Sequence, residues 1–283
     1  MPAVSTTTSP TAGWQAKLSL SFVRRESRTI LSRRSHSGPL QVQRAFYPEP
    51  DGTCHCYVLH PPGGVVGGDG LNIEIDLGAR SHVVLTTPAA GKFYRSGGAY
   101  AGLVQYLRVA PGAMLEWLPQ ESIVFDGARI RSLVRVELIG DAGFIGWEIV
   151  CLGRPAAGEQ FLRGTCHLGF EIHRDRLPLF IEQNLFHGGA ETLGAKWGLQ
   201  GFPVTGTMVC VTRGCGMIEA VRNAVPELRN DELFSASQLD EVLVCRYLGR
   251  SSERARSLFI CAWTELRQAL VDKAPVPPRI WNT

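Results

Sequence analysis

Long apolar runs are absent from this 283-residue sequence. No window approaches the roughly 18 uninterrupted apolar residues that a membrane-spanning helix needs. The opening residues, Met1 to Trp14, hold neither the basic nor the apolar segment of a secretory signal, so the chain reads as cytoplasmic, with no membrane partner. Cysteine is scarce at eight residues, too few for a disulfide framework. In a reducing compartment these thiols are expected to stay free, as small buried hydrophobes or as metal ligands. Charged residues make up only 19% against 45% hydrophobic, which excludes a disordered tail protein and supplies a sizeable core.

The formal net charge of +3 conceals an uneven distribution. Over residues 1–44, Lys17, Arg24, Arg25, Arg28, Arg33, Arg34 and Arg44 face a single acid, Glu26, while the remainder is mildly acidic. Such a basic arm suits an acidic protein partner or a solvated edge strand. Nucleic acid is not expected, because no aromatic side chains interleave the arginines as stacking platforms.

Residues 1–12 are rich in Ser, Thr and Pro and read as a flexible tail; 13–283 read as one domain, since no linker or composition break divides them. The dominant period is two. Leu71-Asn72-Ile73-Glu74-Ile75-Asp76-Leu77 and Val134-Arg135-Val136-Glu137-Leu138 alternate as half-buried strands do. Further strands are expected at Leu18–Phe22, Cys56–Leu59, Val83–Thr86, Leu103–Val109, Ile123–Phe125, Phe144–Cys151, Phe161–Phe170 and Leu179–Glu182, with Gly or Pro in most gaps. The pattern predicts a mainly β fold, a large multi-stranded body of solenoid or sandwich type. No clean repeat emerges, which argues against a propeller. The last quarter predicts a small α+β cap of βαββα type with about two helices. These are Met217–Val225 and a longer one from Ser251 or Ser252 to about Asp272, with Ala255, Leu258, Phe259, Ala262, Leu266, Ala269 and Leu270 on one face.

Chemistry concentrates between Cys54 and Asp69. On a strand, Cys54, Cys56 and Val58 share one face, His55 takes the other, and His60 falls at the strand's end. Thiolates and imidazoles in this pattern suit a nickel or zinc ion, or a thiol or metal-site enzyme centred on Cys54, Cys56 and His60; they equally suit two buried thiols and a hydrogen-bonded histidine. Gly63-Gly64-Val65-Val66-Gly67-Gly68 lacks the spacing of a dinucleotide loop. In Ala90-Gly91-Lys92-Phe93, a Phe stands where a phosphate loop needs Ser or Thr for magnesium. No nucleophile elbow or zinc-protease helix is present. Two carboxylates fall inside apolar strands, Glu148 and Glu182. Each must face solvent, pair with a base such as Arg154, or line a wet cavity.

Several longer strings are more specific. Gly38-Pro39-Leu40, Val42-Gln43-Arg44 and Phe46-Tyr47-Pro48 precede Cys54-His55 and His60-Pro61-Pro62-Gly63-Gly64-Val65-Val66-Gly67-Gly68-Asp69. Leu85-Thr86-Thr87-Pro88-Ala89-Ala90-Gly91-Lys92-Phe93-Tyr94-Arg95-Ser96, Leu115-Glu116-Trp117-Leu118-Pro119-Gln120, Cys151-Leu152-Gly153-Arg154 and Pro278-Arg279-Ile280-Trp281 follow. Together they resemble the urease accessory protein UreD (UreH) family, from about Gly13 to Thr283. The resemblance implies a strand-rich fold and a non-catalytic chaperone for nickel insertion. Such a chaperone docks on urease apoprotein subunits, binds UreF in a paired assembly, and recruits the GTPase UreG through UreF. It also implies no tightly bound cofactor, only transient nickel(II) moving through an internal, water-filled passage. Asp69, Glu148 and Glu182 are then the expected passage residues, followed by His55 and His60, because a conduit needs weak ligands in series. Cys56 departs from the family's pattern.

Overall fold

The computed structural model describes residues 13–211 and 217–282, so the expected tail at 1–12 lies outside the described residues. In chain order the first strands are β1 (Gln15–Arg25), β2 (Arg28–Ser37), β3 (Gln41–Val42), β4 (Cys54–Leu59), β5 (Gly70–Leu77), β6 (His82–Thr86), β7 (Gly91–Phe93), β8 (Ala101–Val109) and β9 (Met114–Trp117). They continue with β10 (Ser122–Val124), β11 (Arg129–Leu138), β12 (Gly143–Leu152), β13 (Thr165–Arg174), β14 (Leu177–His187), β15 (Val204–Val211), β16 (Leu233–Leu239) and β17 (Val242–Gly249). The helices are α1 (Glu191–Gly194), α2 (Ile218–Ala224) and α3 (Ser252–Val271).

Two sheets result. One has seven strands in the order β14-β13-β11-β8-β5-β1-β2; the other has ten, β16-β17-β15-β12-β9-β6-β4-β3, with β10 and β7 attached beside β12. The chain winds between them: β5 leads to β6, β8 to β9 and β11 to β12, each strand parallel to its predecessor in the same sheet. This is a β-solenoid-like arrangement. Parallel strands buried between layers must satisfy every backbone group through their neighbours, which the continuous ladders provide. The first strands of successive coils begin at Gly70, Ala101, Arg129 and Thr165, at unequal intervals, which explains why no repeat period is visible in the sequence.

Alternation decides what faces what. Leu18, Leu20 and Phe22 of β1, Ile73 and Ile75 of β5, and Val134 and Val136 of β11 meet Cys54 and Cys56 of β4, Leu85 of β6 and Phe144 of β12 in the core between the sheets. A second core lies on the other face of the ten-stranded sheet, where Ile145, Trp147 and Ile149 of β12 pack against Leu258, Phe259 and Trp263 of α3. β12 is therefore buried on both faces, and α3 covers one of them. Ser251 caps α3, its hydroxyl accepting from the Arg254 amide at 3.1 Å, and Asp272 ends it in the left-handed conformation.

Several expectations are corrected in detail. The strand expected over Phe161–Phe170 begins only at Thr165, because the chain turns at Gly164 (φ +100°), where a Cβ would stand 2.1 Å from the Ala128 carbonyl oxygen. β2 and β16 escape periodicity since both are edge strands, largely exposed. Three arginines of the basic arm lie there: Arg28, Arg33 and Arg34 stand exposed on β2, as a solvated edge would have them, while Arg24 and Arg25 end β1. The order β15, α2, β16, β17, α3 matches the expected βαββα cap, yet its strands extend the ten-stranded sheet.

Candidate functional site

A cavity of about 160 Å³ opens between the two sheets. Leu71, Leu103 and Gln105 line it from the seven-stranded sheet, and Val58, Trp117 and Glu148 from the other. Residues 62–65 and 87–93 close its mouth, with His60 and Lys92 contributing polar groups there. These are the same two glycine- and proline-rich strings that stood out in the sequence. The lining is mainly apolar, but its few polar groups and the volume leave room for water.

Glu148 is the interior carboxylate of this cavity. On β12 it falls between Trp147 and Ile149, which belong to the core beneath α3, so its own side chain takes the opposite face, between the sheets. Its nearest polar partner is the Ser132 hydroxyl of β11, at 3.4 Å. Burial pushes its carboxyl up to about 7; the Ser132 hydrogen bond opposes this and the negative charge of Glu182 adds to it. Glu182 of β14 accepts from the Thr207 hydroxyl at 2.8 Å and is held by Arg246 at 2.6 Å. Thr207 is the cross-strand partner of Glu148. A polar seam thus runs from the cavity mouth past Gln105, Glu148 and Ser132 to Glu182 and Arg246. Gln105 and Ser132 occupy inward positions of β8 and β11 that alternation reserves for apolar side chains, a signal legible in the sequence but easily passed over. Arg154 serves neither carboxylate; it pairs with Glu159 at 2.5 Å.

His60 lines the cavity, and burial lowers its imidazole below the ordinary value while the charge of Asp69 pulls the other way. Asp69 accepts from the backbone amides of Trp14 and Val66, at 2.8 and 2.9 Å, and so pins a turn. His55 lies apart, on the far face of β4. Its Nε2 meets Glu49 Oε1 at 2.6 Å. Arg267 of α3 donates to Glu49 at 2.6 Å and to Glu116 at 2.8 Å, and Glu116 also meets His82 at 2.6 Å and the Trp263 indole at 2.5 Å. Apart from His55, no local pattern points to this buried network, because its members are scattered from residue 49 to residue 267.

Burial alone would raise Glu116, yet the hydrogen bonds and charges of His82 and Arg267 hold it at about 2; Glu49 is likewise held low, by His55 and Arg267 against its burial. The stabilisation from these depressed carboxylates is complete above their ordinary value of 4.5 and is lost as pH falls through the folded values. Acid unfolding followed by circular dichroism should therefore set in between pH 4.5 and 2, and Glu116→Gln should flatten that limb.

Cys54 and Cys56 share a face as the alternation requires, with their sulfurs 3.9 Å apart in the core. The hydrogen bond to Cys54, and then burial, push the Cys56 thiol far up, which keeps it protonated and unreactive. Among the described residues no group of three or more His, Cys, Asp or Glu side chains is placed to hold a metal ion. No helix among them is long and apolar enough to cross a membrane.

The comparisons with known proteins agree with one another. The family model described as UreD urease accessory protein matches residues 15–282. The urease accessory protein UreD of Azoarcus sp. (strain BH72) is 48% identical over 273 residues, covering 96% of this chain and 95% of the relative. That of Dechloromonas aromatica (strain RCB) is 47% identical, covering 95% of each chain, and urease accessory protein UreD 2 of Brucella anthropi is 44% identical, covering 96% and 99%.

Proposed function

Because the chain belongs to the UreD urease accessory protein family and so serves urease maturation, we propose that it is a non-catalytic scaffold through whose interior nickel(II) passes. In this reading it docks on urease apoprotein and binds UreF, which brings the GTPase UreG, in a paired assembly. The observation that supports passage is the cavity with Glu148 inside it and Glu182 beyond. One carboxylate with a hydroxyl neighbour offers a divalent ion a weak, partly hydrated stop. Weak stops in series let an ion move on where a complete ligand set would retain it. Glu148, Glu182 and His60 stand on this route. Asp69 acts beside it through His60 and the turn it pins, and His55 serves the buried network.

Tagged protein co-expressed with its operon's components should retain UreF and urease apoprotein; retention of neither overturns the scaffold reading. Glu182→Ala and Asp69→Ala should each lower the nickel content of urease, measured by metal analysis, while the complex still forms. Full nickel loading in both variants would remove these residues from the route.

A further inference from the structure

A second hollow, about 430 Å³, opens between the 155–162 and 189–203 segments and shares no lining residue with the first. Its size is that of a ligand site. Leu152 and Phe161, both buried, form the floor, and Leu193, Leu199 and Phe202 form walls. Two charged side chains line it. Glu159 is already engaged by Arg154 at 2.5 Å. Arg250 is exposed and stacks over the Phe202 ring at 5.5 Å, and no carboxylate among the described residues pairs with it. Two large apolar side chains stand exposed in the segments that form the hollow. Leu162 is 58% exposed in its lining, and Trp197, in the same 189–203 segment, is 75% exposed. A Trp and an Arg beside an apolar pocket are the residue types that dominate binding energy at protein interfaces.

We infer that this hollow captures the C-terminal end of a partner protein, its last apolar side chain seated among Leu193, Leu199 and Phe202 and its terminal carboxylate on Arg250. The charge argument selects this occupant. A C-terminal residue carries an anion and an apolar side chain on one Cα, which matches a cation stacked directly on the apolar wall. A fatty acid offers the same pairing but leaves Leu162 and Trp197 uncovered, whereas the residues preceding a peptide's end would lie across them.

The test uses the full chain and a fluorescein-labelled peptide ending in Leu-Phe-Leu, as free acid and as C-terminal amide, followed by fluorescence anisotropy. The free acid should bind at least about tenfold more tightly than the amide, the worth of one charge-assisted contact. Arg250→Gln should erase that difference. Gly194 lines the hollow, and a Cβ built on it meets nothing within 4 Å, so Gly194→Leu should fill the space and abolish binding without disturbing the fold. Equal affinity for acid and amide, absence of saturation up to about 1 mM peptide, or binding of decanoate in preference to the peptide would each overturn the inference.

Discussion

Replacing Arg267 with Leu is expected to lower the unfolding free energy by roughly 3–5 kcal/mol, the usual consequence of removing one partner from a buried ionic network. Arg267 is fully buried, with Glu49 and Glu116 on either side of its guanidinium, and both carboxylates are buried as well. Without the cation, Glu116 keeps only His82 and the Trp263 indole, and Glu49 keeps only His55. Two anions would remain out of water with one histidine each. Arg267→Lys should recover only part of the loss, because a single ammonium cannot reproduce the guanidinium's separate bonds to two carboxylates and to the Ala274 carbonyl. Urea denaturation followed by circular dichroism measures this directly. A loss below about 1 kcal/mol in Arg267→Leu would mean that the network is a solvated cluster in solution, of the kind that contributes little.

Glu148→Gln is expected to act in opposite directions on stability and on function. The carboxyl titrates near 7 in the folded chain against an ordinary 4.5, so folding disfavours its ionised form. Below pH 4.5 both the folded and unfolded states carry the neutral acid, and the variant should match the parent. As pH rises towards 7 the parent loses stability relative to the variant, and above 7 the difference levels off. Access of cavity water to the carboxyl reduces the full linkage value to about 1–3 kcal/mol. At pH 8 the variant should therefore resist urea better. Yet an amide attracts a divalent cation far less than a carboxylate does, so nickel delivered to urease should fall on the order of tenfold, with the scaffold intact. A variant that is more stable and still loads urease fully would separate Glu148 from the route.

Much of the fold was readable because its signal is local. Alternation in 71–77 and 134–138 gave strands that the structure contains, and the spacing from Ala255 to Leu266 gave most of the face of α3 that meets the ten-stranded sheet, although Ala269 stands exposed and Trp263 and Arg267 join that face. The solenoid winding was less accessible, since unequal loops hide its period, and edge strands β2 and β16 bury too little to alternate. For the cavity, Glu148 and His60 announced themselves as a polar residue in an apolar strand and a histidine at a strand's end. The connection of Glu148 through Ser132 and Thr207 to Glu182 needs four strands, β11, β12, β14 and β15, brought together by both sheets, and no spacing rule foretells it. The same holds for Glu49, Glu116 and Arg267, which look like ordinary surface charges until the chain is closed.

That closure has a consequence for synthesis. Arg267 bonds to a residue 218 positions earlier in one case and 151 in the other. Glu49 and Glu116 therefore leave the ribosome long before their countercharge exists. At about 5–20 residues per second, the early coils wait many seconds with two carboxylates that cannot be buried without penalty. The coils have time to pair, but the outer face of the ten-stranded sheet stays uncovered until α3 arrives. A nascent chain arrested before Arg267 should thus display Trp147 and its apolar neighbours to the cell's chaperones, and docking of α3, rather than coil formation, becomes the committing step of its folding.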